Sequence, residues 1–207
     1  MKKIWCIFII IGVLALMGCT KKEDIIIDKE IVEPKEQIKE RLSGNSIGIY
    51  SVANLDKGIY RVSIMSEEYN DGKFKKSIGV LDSEIEIKNN KGNLNVGINK
   101  TDNNKLVFDI SQNDKSEFMA TTSQGMDLSK INIENSGSTW NMLENASEGV
   151  NKIELGKNLA IASFSAGEKG VTYGIKLGNN FIKPSEADAD VPDNMVDIII
   201  YLKISKI

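Results

Sequence analysis

Four carboxylates lie close together near the C-terminal end of the sequence, in a stretch that contains Pro184 and Pro192. Calcium prefers a shell of about six to eight oxygen ligands, and several carboxylates on one loop supply part of it. The stretch lacks the glycine and the distant glutamate of an EF-hand loop, so the alternative is a solvated acidic loop between two strands. The candidate calcium ligands are Glu186, Asp188, Asp190 and Asp193.

A second candidate site centres on Trp140. An exposed aromatic ring can stack on a sugar while nearby amides and carboxylates bond the hydroxyl groups. Asn141 and Glu144 are close in sequence, so these three residues are the predicted carbohydrate-binding set. The alternative is that Trp140 fills one end of the domain. The same two interpretations apply to Tyr50, Tyr69 and Tyr201.

The chain contains no histidine, and its only cysteines are Cys6 and Cys19. Histidine-dependent triads and histidine-ligated metal sites are therefore excluded. A pair of carboxylates can still hydrolyse a glycosidic bond, and Glu84 and Glu86 have the spacing of one strand face. That spacing is equally typical of solvent-facing residues. We therefore expect a non-enzymatic protein without an obligatory cofactor, and a carboxylate glycoside hydrolase is the least favoured alternative.

The N-terminus has the layout of a secretory signal peptide. Lys2 and Lys3 precede an apolar run, and Gly18 and Cys19 close it. The run covers about 15 residues, or roughly 23 Å as a helix. A hydrocarbon core of about 30 Å requires about 20 residues. The segment is therefore short for a permanent membrane span.

The end of this run, Leu16-Met17-Gly18-Cys19, resembles the lipobox of bacterial lipoproteins of the Gram-positive type. The resemblance implies cleavage before Cys19, a diacylglycerol on its sulfur and a location on the outer side of the cell membrane. Residues 1–18 would be the signal peptide, and Cys6 would leave with them. The mature domain would then contain no disulfide.

The overall charge argues against a nucleic-acid partner. The full chain has 26 basic and 29 acidic residues, and removal of Lys2 and Lys3 leaves a net charge of about −5. A net acidic chain without a basic block has no electrostatic attraction to phosphate backbones. We expect the membrane to be reached through the lipid, and the ligand to be a polysaccharide, a peptide or another envelope protein.

Residues 19–45 are predicted to form a charged tether. Pro34 precedes a stretch of good helix formers, and residues 35–42 are predicted to form a short helix. As a flexible coil, a tether of about 25 residues would reach roughly 28 Å. The apolar run Ile25-Ile26-Ile27 is unusual in a tether. It predicts either a short strand that docks on the domain or an exposed apolar patch.

Residues 46–207 alternate between apolar and polar side chains, which is typical of antiparallel strands with one buried face. Turn residues separate the runs at intervals typical of a sandwich or barrel, so we predict about nine or ten strands. The predicted fold is an all-β antiparallel sandwich, jelly-roll or immunoglobulin-like, with at most one or two short helices. The second candidate helix is Thr139–Ala146, with Ser138 as its N-cap. The alternating runs begin at Tyr60, Ile85, Leu94, Leu106, Ile131, Val171 and Ile198.

The last of these runs contains Ile198-Ile199-Ile200, which is apolar on both faces. Such a strand is predicted to be central in its sheet or covered at an edge. An exposed edge there would favour a structural or assembly role, in which a partner adds a strand to the sheet. A central position would remove that support.

Overall fold

The structure is a computed structural model of the 207-residue chain. It describes residues 23–29, 46–100, 105–114, 117–127, 137–143, 151–167, 175, 177–179, 181–186 and 194–207. Cys19, the predicted helix at 35–42 and the predicted strand at Ile131 lie outside these residues. The described strands are β1 (Ile26–Lys29), β2 (Ser46–Leu55), β3 (Gly58–Asn70), β4 (Lys73–Ile87), β5 (Gly92–Lys100), β6 (Lys105–Asp114), β7 (Glu117–Asp127), β8 (Gly137–Met142), β9 (Asn151–Lys152), β10 (Asn158–Gly167) and β11 (Val196–Lys206).

These eleven strands form two sheets. The six-stranded sheet has the order β7-β6-β5-β2-β1-β9, and the five-stranded sheet has the order β4-β3-β11-β10-β8. Every strand pairing within the two sheets is antiparallel. One apolar cluster contains buried residues from both sheets. The predicted antiparallel β-sandwich is confirmed.

The alternation of side chains explains how the strands share this core. In β3, Val62 and Ile64 are fully buried while Arg61 is exposed. Successive strand residues point to opposite faces, so a two-residue period delivers one apolar side chain per step to the interior. Asp71 and Gly72 both have positive φ, which suits the two-residue hairpin turn that joins β3 to β4.

Part of the predicted tether belongs to the folded domain. Strand β1 pairs with β2 on one side and with β9 on the other. Ile27 is fully buried and Ile25 nearly so. Burial of these isoleucines supplies a hydrophobic driving force of about 25 cal/mol per Å² of apolar surface removed from water. Of the two predicted alternatives for Ile25-Ile26-Ile27, docking is therefore correct, and residues 19–45 do not form one continuous tether.

The prediction of a helix over Thr139–Ala146 is wrong for the part that the structure describes. Residues 139–142 belong to β8, and Ser138, the predicted N-cap, pairs in the sheet with Ala166. Strand β8 lies along β10 with six residue pairs. Thr139 and Trp140 favour strands intrinsically, and pairing with β10 outweighs the weak helical pattern.

The isoleucine-rich strand β11 is central in the five-stranded sheet, with β3 and β10 as neighbours. Ile198 and Ile200 contribute to the core between the sheets. Ile199 and Tyr201 point to the opposite side and form a second, smaller cluster with Tyr69 and Ala160. The prediction that both faces of this strand are covered is confirmed.

The outer face of the five-stranded sheet is covered by the chain around residues 175–186. Ile175, Leu177 and Phe181 pack against the small outer cluster. Ile175 and Leu177 had been predicted to lie in a strand, but neither residue does. Their side chains cover the sheet instead of extending it, so the prediction of a strand is wrong at these two positions. Val171 and Tyr173, from the same predicted run, lie outside the described residues.

Tyr50 connects the two sheets through hydrogen bonds inside the core. The Tyr50 hydroxyl, on β2, donates to the carbonyl of Ile161 on β10 at 2.6 Å and accepts from the amide of Leu143 at 3.0 Å. The Leu143 amide also donates to the Ile161 carbonyl at 2.8 Å. Tyr50 is fully buried, so it fills the interior rather than offering a ring to a ligand.

The Tyr50 hydroxyl is expected to contribute measurably to stability. Tyr50→Phe removes a buried donor and acceptor, and should lower the free energy of unfolding by about 1–3 kcal/mol in a urea titration. Tyr60→Phe is the matched control, because the Tyr60 hydroxyl donates to the carbonyl of Asp56, only four residues away and at the edge of the core. An equal or smaller loss in Tyr50→Phe than in Tyr60→Phe would contradict this role.

Candidate functional site

A cleft of about 270 Å³ opens on the outer face of the five-stranded sheet. One wall is the turn between β9 and β10, and the other is the short segment that contains Gly178 and Phe181. The lining combines two aliphatic residues and an aromatic ring with amide and charged groups. The lining residues are Lys152, Glu154, Lys157, Asn158, Leu159, Ala160, Gly178, Asn179 and Phe181.

Gly178 holds the second wall against the sheet. It forms an antiparallel bridge with Ala160, and its amide donates to the Ala160 carbonyl at 2.9 Å. Its φ is +86°, a conformation that side chains disfavour. A Cβ there would lie 2.6 Å from Oδ1 of Asn151 and 3.0 Å from Cδ1 of Leu143. Glycine therefore permits both the turn and the close approach.

The first wall is a tight turn stabilised by backbone hydrogen bonds. Gly156 has φ +82°, and its amide donates to the carbonyl of Ile204 at 2.7 Å. Lys157 forms an ion pair with Glu154 at 2.5 Å, and both side chains are mostly exposed. An exposed pair of this kind contributes little to stability, about 0–1 kcal/mol, so both groups remain available to a ligand.

Phe181 is positioned by an aromatic contact with the sheet. Its ring meets Tyr201 edge to face, with centroids 5.7 Å apart and planes at 83°. Edge-to-face pairs of this geometry are favourable by about 0.5–1.5 kcal/mol beyond the area that they bury. The half-buried ring therefore has a fixed orientation beside the cleft.

Beneath Phe181, the carboxylate of Glu67 gathers three donors. Oε2 accepts hydrogen bonds from the hydroxyls of Tyr69 at 2.5 Å and Tyr201 at 2.8 Å. Lys183, from the covering segment, places its ammonium 3.5 Å from the same oxygen. We call these four residues the Glu67 cluster. It ties the covering segment to β3 and β11.

Burial, followed by the hydrogen bond to Glu67, raises the pKa of both Tyr69 and Tyr201 well above the ordinary value for tyrosine. Both hydroxyls therefore stay protonated at physiological pH and act as donors. The two tyrosines had been considered as possible sugar platforms, but both rings are buried in the outer cluster. Their role in this structure is to support the covering segment.

The predicted carbohydrate-binding residues fall on and near β8. Trp140 pairs with Phe164, a core residue, and Asn141 pairs with Ser163 on the outer face. The Asn141 side-chain amide donates to the Ser163 hydroxyl at 3.3 Å. Glu144 lies outside the described residues. The carbohydrate site predicted for these three residues remains a prediction.

The predicted calcium ligands are described only in part. Glu186 is the exposed last residue of a 3-10 turn, Pro184–Glu186. Asp188, Asp190 and Asp193 lie outside the described residues, so the calcium site remains a prediction. Among the residues that the structure does describe, no three carboxylates or other metal-ligating side chains are grouped to hold an ion.

The carboxylates Glu84 and Glu86 lie exposed on β4. Glu84 accepts a hydrogen bond from Arg61 at 2.8 Å, which, with the nearby charge of Asp82, raises the pKa of the arginine. The pair lies on an open strand surface and lines no part of the described cleft. The described cleft contains one carboxylate, Glu154, which pairs with Lys157.

The cleft could not be recognised from the sequence. Lys157 and Phe181 lie on either side of β10 in the chain, and neither residue is part of a motif. No protein family, curated protein or solved structure matches the chain. In the described part of the chain, no helix is long and apolar enough to cross a bilayer.

The Glu67 cluster predicts a specific loss of stability in alkali. A tyrosine whose pKa is raised by folding stabilises the protein fully below its unfolded pKa of about 10, and that contribution is lost as pH rises further. Above pH 10, each tyrosine should lower the free energy of unfolding by at most about 1.4 kcal/mol per pH unit.

Urea titrations at a series of pH values between 9 and about 11.5 would test this, because the unfolded tyrosine pKa of about 10 falls inside that range. The double variant Tyr69→Phe/Tyr201→Phe should be less stable at neutral pH but should lose stability less steeply above pH 10. Comparison of the two slopes cancels the lysines, which titrate in both proteins. Identical slopes would show that the two hydroxyls do not carry the effect.

Proposed function

We propose that the protein is an extracytoplasmic lipoprotein, anchored through Cys19, whose β-sandwich is a non-enzymatic binding module. The main support for a binding role is the cleft between the β9–β10 turn and Phe181. Ligand sites are concave, with apolar and aromatic walls and a few fixed polar groups, and this cleft has that character. Its volume of about 270 Å³ is close to the lower limit of such sites, which favours one unit of a polymer over a large molecule.

The lining favours a carbohydrate. Phe181 offers an apolar ring, and Asn158 and Asn179 offer amides that both donate and accept hydrogen bonds. Lys157 and Glu154 add charged groups at the rim. An aromatic surface flanked by such groups suits the apolar faces and hydroxyls of a sugar. A polysaccharide of the cell envelope is therefore the favoured ligand class, with a peptide as the alternative.

Pairing through a sheet edge has less support. The strand that suggested it, β11, is central. The first half of the edge strand β4 is exposed, but it contains two register shifts and the exposed lysines Lys73, Lys75 and Lys76. Bulges and lysines are the features that protect edge strands from further pairing.

Hydrolysis of a sugar also has less support than binding. A glycosidase needs two carboxyl groups on either side of the bond that it cleaves. In the described residues of the cleft, only Glu154 is acidic. Binding requires no such pair.

The anchor is tested by metabolic labelling with a radioactive fatty acid. The wild-type protein should incorporate the label, and Cys19→Ala should not, because the sulfur of Cys19 is the predicted attachment atom. Cys6→Ala is the matched control and should be labelled like the wild type. Label in Cys19→Ala would contradict the anchor.

The binding role is tested on a glycan array with the full-length protein in detergent. Phe181→Ala should weaken binding of a positive saccharide about tenfold, equivalent to about 1.4 kcal/mol. Ile182→Ala is the matched control, because this neighbour is 58% exposed and does not line the cleft. Asn158→Ala provides a second variant on the opposite wall.

Two results would contradict this assignment. Binding that is unchanged in both Phe181→Ala and Asn158→Ala would place the ligand elsewhere, and loss only in Trp140→Ala would place it on β8. A saccharide array without any positive signal would contradict the carbohydrate class and favour a peptide or protein ligand.

A further inference from the structure

Glu23 and Asp24, which follow the predicted lipidation site closely in sequence, are both attached to the sandwich. Glu23 forms an ion pair with Lys91 at 2.8 Å, and Asp24 forms one with Lys152 at 2.6 Å. The carbonyl of Asp24 accepts a hydrogen bond from the side chain of Asn54 at 3.0 Å. The chain is therefore bound to the domain before β1 begins.

Backbone pairing continues the attachment. The carbonyl of Ile25 accepts a hydrogen bond from the amide of Ile153 at 2.9 Å, and Ile26 then pairs with both Ala53 and Lys152. With Ile27 fully buried, release of this segment would expose apolar surface and break pairing on both sides. The attachment is part of the fold.

The length of chain between Cys19 and Glu23 is consequently very short. Cys19 and Glu23 are four residues apart, and a fully extended chain spans about 3.3–3.6 Å per residue. Glu23 can therefore lie at most about 14 Å from the lipidated residue. A flexible coil through residue 45 would have allowed roughly twice that distance on average. The lipid must hold one particular end of the sandwich near the bilayer.

Strand register identifies that end. Ile26, at the start of β1, pairs with Ala53 near the end of β2 and with Lys152 at the end of β9. The β9–β10 turn, with Leu155 and Gly156, therefore projects beyond the same end. Two further turns project beyond this end, because Leu55 pairs with Gly92. They are the β2–β3 turn, at Asp56 and Lys57, and the β4–β5 turn, which leads to Gly92. We call this surface the anchor end.

The exposed groups of the anchor end suit an interface between lipid and water. Leu155 is 37% exposed at the tip of its turn, and Ile59 is 48% exposed at the start of β3. The anchor end also carries exposed lysines, whose long apolar stems can lie in an interface while the ammonium groups stay hydrated. These lysines are Lys57, Lys88, Lys91, Lys152, Lys157 and Lys206.

Charge distinguishes this end from the chain as a whole. Lys91, Lys152 and Lys157 neutralise Glu23, Asp24 and Glu154. The remaining lysines of the described anchor end are Lys57, Lys88 and Lys206, and the remaining acids are Asp56, Glu86 and, at the β6–β7 turn, Asp114 and Glu117. In a chain whose net charge is about −5 after removal of residues 1–18, the described anchor end thus has six lysines and seven carboxylates and is close to electrical balance. Anionic lipid headgroups would therefore repel it only weakly.

We infer that the anchor end rests on the surface of the bilayer, with the Leu155 turn in contact with the lipid headgroups. This inference rests on the proposed lipidation of Cys19. The cleft shares the β9–β10 turn with the anchor end, so its ligand is bound close to the membrane plane. The opposite end, at the β3–β4 turn, points away from the bilayer.

The contact is measured by fluorescence quenching in the full-length lipidated protein. The protein is reconstituted in phosphatidylcholine vesicles with phosphatidylglycerol and a lipid that carries a nitroxide on its headgroup. Leu155→Cys and Lys73→Cys provide single labelling sites at the two ends, because the mature chain has no cysteine other than the acylated Cys19. Both positions are exposed, so neither label should disturb the core.

The nitroxide lipid should reduce the fluorescence of a label at position 155 severalfold and should leave a label at position 73 almost unchanged. A flexible glycine-serine insert after Lys22 should remove most of the quenching at position 155. Equal quenching at both positions, or unchanged quenching after the insert, would overturn the inference.

Mass spectrometry of the same samples separates the two levels of the proposal. Absence of the lipid on Cys19 would overturn the anchor and the orientation together. A lipidated protein without quenching at position 155 would overturn the orientation alone and leave the proposed anchor intact.

Discussion

A buried polar contact made by Tyr50 joins the two sheets of the sandwich. The hydroxyl of Tyr50 reaches from β2 to the carbonyl of Ile161 and the amide of Leu143, so each of these groups is satisfied inside an apolar core. A register shift between Ala160 and Ala162 interrupts the pairing of β10 with β11 at this point. Apolar packing alone tolerates small sliding of one sheet over the other, whereas buried hydrogen bonds fix a distance and a direction. The Tyr50 hydrogen bonds therefore hold the two sheets in position at the same place where the pairing of β10 with β11 is irregular.

The same irregular part of β10 supports the cleft. Ala160, which precedes Ile161, accepts a hydrogen bond from the amide of Gly178. On the outward face of β11, the ring of Tyr201 contacts the ring of Phe181. One wall of the cleft is thereby attached to the strand that Tyr50 holds from the other side. The Glu67 cluster then secures the covering segment against the sheet. The walls of the cleft are therefore supported by residues that also pack in the fold's apolar clusters.

The strands could be predicted from the sequence where alternation was regular, as around Val62 and Ile200, because a period of two directly reflects a sheet with one buried face. The apolar residues on both faces of β11 predicted either a central strand or a covered edge strand, and only the structure shows that the strand is central. Trp140 was misassigned to a helix, since local propensity contains no information about a neighbouring strand. The cleft could not be predicted, because Lys157 and Phe181 come together only through tertiary packing. The nearest signals were Gly156 and Gly178, whose positive φ values sequence alone does not reveal.

Strand β1 also determines how the protein would respond to force. It lies between β2 and β9, and hydrogen bonds in antiparallel sheets run perpendicular to the strands. If Cys19 is lipidated and the domain binds a ligand, as proposed, tension between the lipid and the ligand would pull β1 along its own axis. The bonds on both flanks would then be loaded together in shear, and would not open one after another as in a zipper. Under the same proposal, the four-residue strand Ile26–Lys29 would be the segment that transmits this tension to the sandwich.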